Sequence, residues 1–268
     1  MRIVGIDTSS ATASVALLED GQIIAERCHP GSIAGHVAGL AGFKSNHAEI
    51  LLPLIESVIV ESRLSLAEVS GIALSIGPGS FTGLRIGLST VKGLAYGWGI
   101  PVVGVSTLLA QAARVGEFDG VICALLDARK HEVYAALFRK SKHGLTRLTE
   151  DCLALVEDVI GQMRSRIGSM PGIFIGDAID RYGKRLLDSL GSDVRLCTGN
   201  SVSSCAAAVA RLGMERFRNS ESDELGNLVP VYLRPSEAEA KRSNLTDGKF
   251  ANSTLRTLRY VDKNTTVR

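Results

Sequence analysis

The residues best placed to do chemistry sit at the ends of short apolar runs. Gly77-Pro78-Gly79-Ser80 closes the run Ile72 to Ile76 and opens a helical pattern, with Ser80 or Thr82 as its N-cap. A glycine turn at a helix start presents backbone N–H groups along the helix dipole, which suits an anion. Arg85 follows one turn later. The glycines at 77, 79 and 83 do not make a dinucleotide GxGxxG, and no Gly-Lys-Ser/Thr closes a Walker A loop. A ligand-free strand-to-helix turn is the equal alternative. Asp7-Thr8-Ser9 and Asp127-Ala128-Arg129-Lys130 occupy two further corners, each after an apolar run. Asp at such a corner also stabilises its own turn.

Other chemistries find little footing. The histidines at 29, 36, 47, 131 and 143 include no pair four apart, and His47-Ala48-Glu49 is too close for one helix face, so no metal site is assigned. The five cysteines are odd in number, scattered and without a CxxC, which fits a reduced, cytoplasmic protein with buried thiols. No Ser/His/Asp or Cys/His arrangement can be assembled, and no catalytic residue is assigned.

These corners need strands and helices to hold them. Ile3–Ile6, Thr12–Leu18 and Gln22–Cys28 read as a meander, with Asp20-Gly21 as a hairpin turn. A glycine-rich stretch over 29–45 reads as loop. Asn46 and Glu49 have capping-box spacing ahead of a helix that Pro53 should kink, and Ser65 and Glu68 repeat that spacing before a short helix ended by Gly71. The glycine turn and its helix follow, then a strand at Pro101–Val105 and a helix from Thr107. The second half repeats the order: strands at Val121–Leu126, Glu132–Arg139 and Leu145–Leu153, a helix at Val156–Met163, a strand at Gly172–Ile175, a helix at Ile179–Leu190, a strand at Val194–Cys197, and an alanine-rich helix at Ser201–Phe217. This predicts an α/β protein of two similar halves, 1–116 and 117–225, each a mixed sheet flanked by helices, with a ligand cleft between them. The last helix can pack back on the first half. Residues 226–268 form an extension whose basic part, 241–268, reads as a solvated tail or, more sharply, an RNA-contacting arm.

Two helices carry more apolar surface than one sheet can cover. On the first, Glu49, Leu52, Ile55, Glu56 and Ile59 are assigned to an interface. On the second, Gly79, Gly83 and Gly87 recur every four residues and read as a groove, so Gly83, Arg85, Gly87, Thr90 and Val91 join it. Such a face fits a homodimer or a related partner.

Bulk properties bound the rest. The 268 residues suit one large domain or two small ones, and the 45% hydrophobic content supplies a core. A formal charge of +2 draws the chain to neither nucleic acid nor membrane. No apolar run is long enough to span a membrane, and Asp7 falls too early for a signal peptide.

Seven stretches in order resemble the TsaB family of bacterial tRNA threonylcarbamoyladenosine synthesis. They are Ile6–Ser9, His47–Pro53, Gly77–Gly87, Lys92–Ala95, Gly104–Leu108, Leu126–Lys130 and Pro230–Arg234, and they cover about residues 2 to 237. The Gly-Pro-Gly-Ser-Phe-Thr-Gly-Leu-Arg block is the specific one. The loop at 29–45 looks longer than in the family, and the basic tail has no claimed counterpart. The resemblance implies an actin/Hsp70-like ATPase fold of two RNase H-like halves, each with a five-stranded mixed sheet. It implies a non-catalytic subunit supporting a TsaD-like transferase, with a TsaE-like ATPase beyond it and tRNA reached through the complex; the apolar helix faces add a homodimer when the chain is alone. Catalytic relatives hold a metal with an HxxxH pair that is missing here. In this fold Asp7 falls where magnesium and nucleotide phosphate are positioned, and the second corner supplies Ala128, Arg129 and Lys130 where glycines should stand. The cleft therefore reads as degenerate, requiring no cofactor and allowing at most weak ATP or ADP with Mg²⁺. The rival readings are an ATP-dependent phosphotransferase or hydrolase of the same fold, and a metallopeptidase.

Overall fold

A computed structural model describes residues 1–29, 47–198, 204–235 and 266–267. The glycine-rich loop beyond His29, the Asn46 cap and almost all of the basic tail lie outside the described residues.

In the first half, β1 (Arg2–Asp7), β2 (Ala13–Glu19) and β3 (Gln22–His29) form an antiparallel meander. Asp20, at φ 49°, and Gly21 turn the chain between β2 and β3. Parallel strands β4 (Gly71–Gly77) and β5 (Val102–Ser106) complete the order β3-β2-β1-β4-β5. α1 (His47–Ser62) continues through Pro53 and buries Ile50, Leu51, Leu54, Ile55 and Val58. The capping box at Ser65 and Glu68 is present, although its helix is one short 3-10 turn, Leu66–Glu68, and Gly71 begins β4. α2 (Phe81–Trp98) is capped by Ser80, whose hydroxyl accepts from the Gly83 N–H at 3.2 Å, and Gly99 in the left-handed region ends it. α1 and α2 lie on one face of the sheet and close a core with Ile6, Leu17, Ile72 and Leu74. α3 (Thr107–Ala113) starts from a Ser106 cap.

The second half repeats this wiring. β6 (Gly120–Asp127), β7 (Glu132–Ser141) and β8 (Gly144–Arg147) form its meander, and β10 (Gly172–Ile175) and β11 (Val194–Cys197) its parallel side. Two strands exceed the expected five. The predicted strand Leu145–Leu153 splits into β8 and β9 (Cys152–Leu155), both on the same edge of β7. The chain bulges between them, where the N–H groups of Leu148 and Thr149 both donate to the Leu137 carbonyl. The short β12 (Thr266–Val267) adds to β8. α4 (Val156–Ile167) and α5 (Ala178–Leu190) cover one face of this sheet. The two sheets share the strand order of a duplicated RNase H-like unit, the actin/Hsp70-like architecture.

α6 (Cys205–Arg218) follows the second half in sequence but packs against the first sheet. Its small side chains Ala206, Ala207 and Ala210 meet Ile3, Ala16, Leu18, Ala73 and Val103. Gly5 lets the helix backbone rest on β1, since a Cβ there would overlap the Ala206 carbonyl. The first sheet is thereby covered on both faces. Among the described residues no helix is long and apolar enough to cross a membrane.

Candidate functional site

A cleft of about 980 Å³ lies between the halves. Ser9, Ser10, Gly79, Ser80, Phe81 and Arg85 line it from the first half, and Leu126 to Lys130, Tyr134 and Asp177 from the second. Val231 to Pro235 form a third wall.

The first corner is consumed by its own turn. Asp7 is buried, and its Oδ1 accepts from the Ser9 hydroxyl at 2.6 Å and the Ser9 N–H at 3.3 Å. The Thr8 hydroxyl donates to the Gly83 carbonyl at 2.8 Å. At the predicted anion site, Gly77-Pro78-Gly79-Ser80, two N–H groups of the turn and helix start are engaged within the chain. The Ser80 N–H donates to the Ser9 carbonyl at 2.6 Å, and the Gly83 N–H is held by the Ser80 cap. Gly79 lacks a side chain because Ser9 fills the space where one would go. Arg85, which also lines the cleft, is held by two aromatic side chains: its guanidinium lies 4.0 Å over the Phe81 ring, and its Nε donates to the Tyr232 hydroxyl at 2.9 Å.

The second corner is basic and tightly wound. Arg129, Lys130 and His131 hold φ of 63°, 51° and 66° in succession. L-residues avoid this region at a cost of roughly 1–2 kcal/mol each. Asp127 Oδ1 accepts from the Arg129 N–H at 2.8 Å, and the Ala128 N–H donates to the Glu132 carbonyl at 3.0 Å. Asp127 Oδ2 lies 3.5 Å from Arg181. The Asp127 N–H donates to Asp177 at 2.8 Å. Asp177 is reached by water from the cleft yet recessed in its wall. Desolvation pushes its carboxyl up to about 6, the charges of Asp127, Asp180 and Asp7 add to this, and the Asp127 N–H opposes it.

His47 sits buried at the start of α1, beside the cleft, and its Nε2 finds no hydrogen-bond partner among the described residues. Burial lowers its pKa, with Asp7 opposing and His29 adding. Among the described residues no three His, Cys, Asp or Glu side chains gather as a metal site.

The predicted interface residues separate into two groups. Glu49, Leu52, Glu56 and Arg85 are exposed, and Ile59 and Thr90 half-buried. Ile55, Gly83, Gly87 and Val91 are buried. The expected outward groove at Gly83 and Gly87 faces inward instead: a Cβ on either would overlap Thr8. The small residues of α2 that do face water are Ser89, Gly93 and Gly97, and a Cβ on either glycine meets nothing within 4 Å. The exposed large apolar side chains of the two helices are Tyr96, 88%, and Trp98, 53%, on α2, and Leu52, 53%, and Val60, 69%, on the neighbouring α1. The pair Gly93 and Gly97 is legible in the sequence as a second four-residue spacing, one turn beyond Ser89.

Residues 42–240 match the family model TsaD, tRNA N6-adenosine threonylcarbamoyltransferase. The chain is 31% identical over 241 residues to the tRNA threonylcarbamoyladenosine biosynthesis protein TsaB of Bacillus subtilis, covering 90% of this chain and 97% of that one. Against the TsaB of Escherichia coli the identity is 29%, over 90% and 98%. The solved structure of YeaZ from Pseudomonas aeruginosa superposes with a TM-score of 0.67 at 25% identity, covering 87% of this chain and 99% of that one. With this likeness over 90% of its length, the chain belongs to the TsaB family of tRNA threonylcarbamoyladenosine biosynthesis proteins.

Proposed function

We propose that this chain is a non-catalytic subunit in the synthesis of N6-threonylcarbamoyladenosine on tRNA, docking through α1 and α2 to a TsaD-like transferase. One observation carries the docking: the exposed apolar side chains Leu52 and Val60 on α1 and Tyr96 and Trp98 on α2, with the open Gly93 and Gly97 on α2. A monomer rarely leaves such a patch in water, and open glycines let a second helix approach closely. The corresponding helices of a fold-related partner, or of a second copy, fit this face. The two assemblies compete, so a homodimer forms only when the partner is missing. A TsaE-like ATPase joins the pair, and tRNA is reached through the complex. The locking of Asp7 by Ser9 and of Ser80 by Ser9 supports a subunit that needs no cofactor for this role.

The test is co-purification and light scattering with a TsaD-like partner, using Gly93→Arg against the wild type. Loss of the heterodimer and homodimer in a folded variant supports the reading. Unchanged binding places the interface elsewhere. The rival reading, an ATP-dependent phosphotransferase or hydrolase, draws on Asp127 and Asp177 facing the cleft. ATP turnover by the purified chain, abolished by Asp177→Ala, would establish that reading.

A further inference from the structure

The sequence pattern fades after Gly226 apart from Val229 to Arg234, and the structure gives this stretch a definite course. Asp223 bonds back to β5, where its N–H donates to the Val102 carbonyl at 2.8 Å and its carboxylate accepts from the Gly104 N–H at 2.6 Å. Leu228 is buried in the first core. The Val231 N–H donates to the Ile76 carbonyl at 2.7 Å, at the end of β4. Tyr232 stacks on Phe81 with ring centroids 4.5 Å apart. The next residue crosses over: Leu233 is buried among Leu126, Ala128 and Tyr134 of the second half. Arg234 then grips both ends of the strained basic turn, donating to the Ala128 carbonyl at 2.7 Å and lying 3.1 Å from the Glu132 carboxylate.

We infer that residues 228–235 are a strap that fixes the width of the cleft, holding the two halves at one angle from within the chain. Clefts between paired domains open by hinge motion, and their width is set by whatever bridges the walls. Here consecutive residues supply a bridge beside the packing of α3 against β6 and β7. Val231 and Tyr232 fasten to the first half, and Leu233 and Arg234 to the second. Arg234 also holds the turn at Arg129 to His131, a backbone shape that relaxes unless it is restrained on both sides. Because Tyr232 receives the Arg85 Nε, and Arg85 is exposed on α2, the strap runs from an exposed α2 residue to the second sheet.

The test uses the full chain with genetically encoded spin-label amino acids at exposed Ala67 and Asp188, one on each half, diluted with unlabelled chain. Double electron–electron resonance should give one narrow distance for the wild type and for Tyr232→Phe/Arg234→Lys. Tyr232→Ala/Arg234→Ala should broaden the distribution towards longer distances. A double-alanine variant with an unchanged near-ultraviolet circular dichroism spectrum and the same narrow distance overturns the inference. Hydrogen exchange on the unmodified protein gives a second reading that needs no variant. The Val231 amide should be protected like those of β4. Exchange at an open-loop rate while β4 and β6 stay protected overturns the strap equally.

Discussion

The Thr8 hydroxyl donates to the backbone carbonyl of Gly83 at 2.8 Å, so the first corner of the sheet is tied directly to the opening turns of α2. The tie requires the helix backbone to come within side-chain distance of the corner, and glycine at 83 and 87 permits it. Glycine in a helix interior costs about 1 kcal/mol relative to alanine. Here that cost is offset by contact between a strand end and a helix.

Gly83→Ala and Gly87→Arg are therefore fold mutations. Each forces atoms into space held by Thr8, and overpacking of this kind costs about 1–3 kcal/mol or more. Thermal unfolding should fall by roughly 2–12 °C, given about 2–4 °C per kcal/mol for a chain of this size. Gly93→Arg should leave the midpoint unchanged or higher. Equal midpoints for Gly87→Arg and the wild type would contradict the inward placement.

Asp223 anchors the chain after α6 through Arg216, whose Nη1 and Nη2 donate to it at 3.0 and 2.8 Å. Burial raises the Asp223 pKa, but the hydrogen bonds from Arg216 and Gly104 and the Arg216 charge overcome it, and the net shift is downward. A depressed carboxylate contributes stability that is present above its unfolded pKa, near 4, and lost as pH falls through the lower folded value. Asp223→Asn should cost about 1–3 kcal/mol at pH 7, and the cost should shrink as pH falls below about 4, read by denaturant unfolding across that range.

Asp177 should behave in the opposite sense. Its folded pKa, about 6, exceeds the unfolded value near 4, so the folded state binds more protons between them. Stability then falls as pH rises from about 4 to 6. Asp177→Asn keeps an acceptor for the Asp127 N–H and removes the charge. Its unfolding midpoint should exceed that of the wild type at pH 7.5, with the gap closing by pH 4. A gap that widens on acidification would refute desolvation as the cause.

The two halves also meet at Arg147 and Asp151, a nearly buried ion pair to which Ser106 of the first half donates at 2.8 Å. Breaking a buried pair from one side costs about 3–5 kcal/mol, because the other charge is stranded. Arg147→Met should show that loss in chemical unfolding. Arg147→Met with Asp151→Leu should recover much of it, since both charges are then gone.

The parts of the fold that were legible in the sequence are those whose signal is local. Asp20-Gly21 marks its hairpin by turn chemistry, and Ser65 with Glu68 marks a cap by spacing. The face of a helix is not local. Gly83 and Gly87 share a spacing with Gly93 and Gly97, and only the position of Thr8 distinguishes the buried pair from the open one. Asp7 as a turn residue was one of two readings that the sequence left open, and the Ser9 contacts decide where its carboxylate points. Pro230–Arg234 stood out as a block, but its course was illegible because its order comes from partners at Ile76, Phe81 and Ala128, far away in the chain.

The placement of α6 sets an order of events at the ribosome. Ile3, Ala16, Ala73 and Val103 lie on a sheet face that Ala206, Ala207 and Ala210 seal. While residues 1–116 emerge, that face has only the short α3 of its own beside it, and the rest stays greasy until nearly the whole second half has been translated. The amino-terminal half is then the last to mature, although it is the first to be made. A nascent chain arrested before Cys205 should recruit chaperones, and one released after Arg218 should dispense with them.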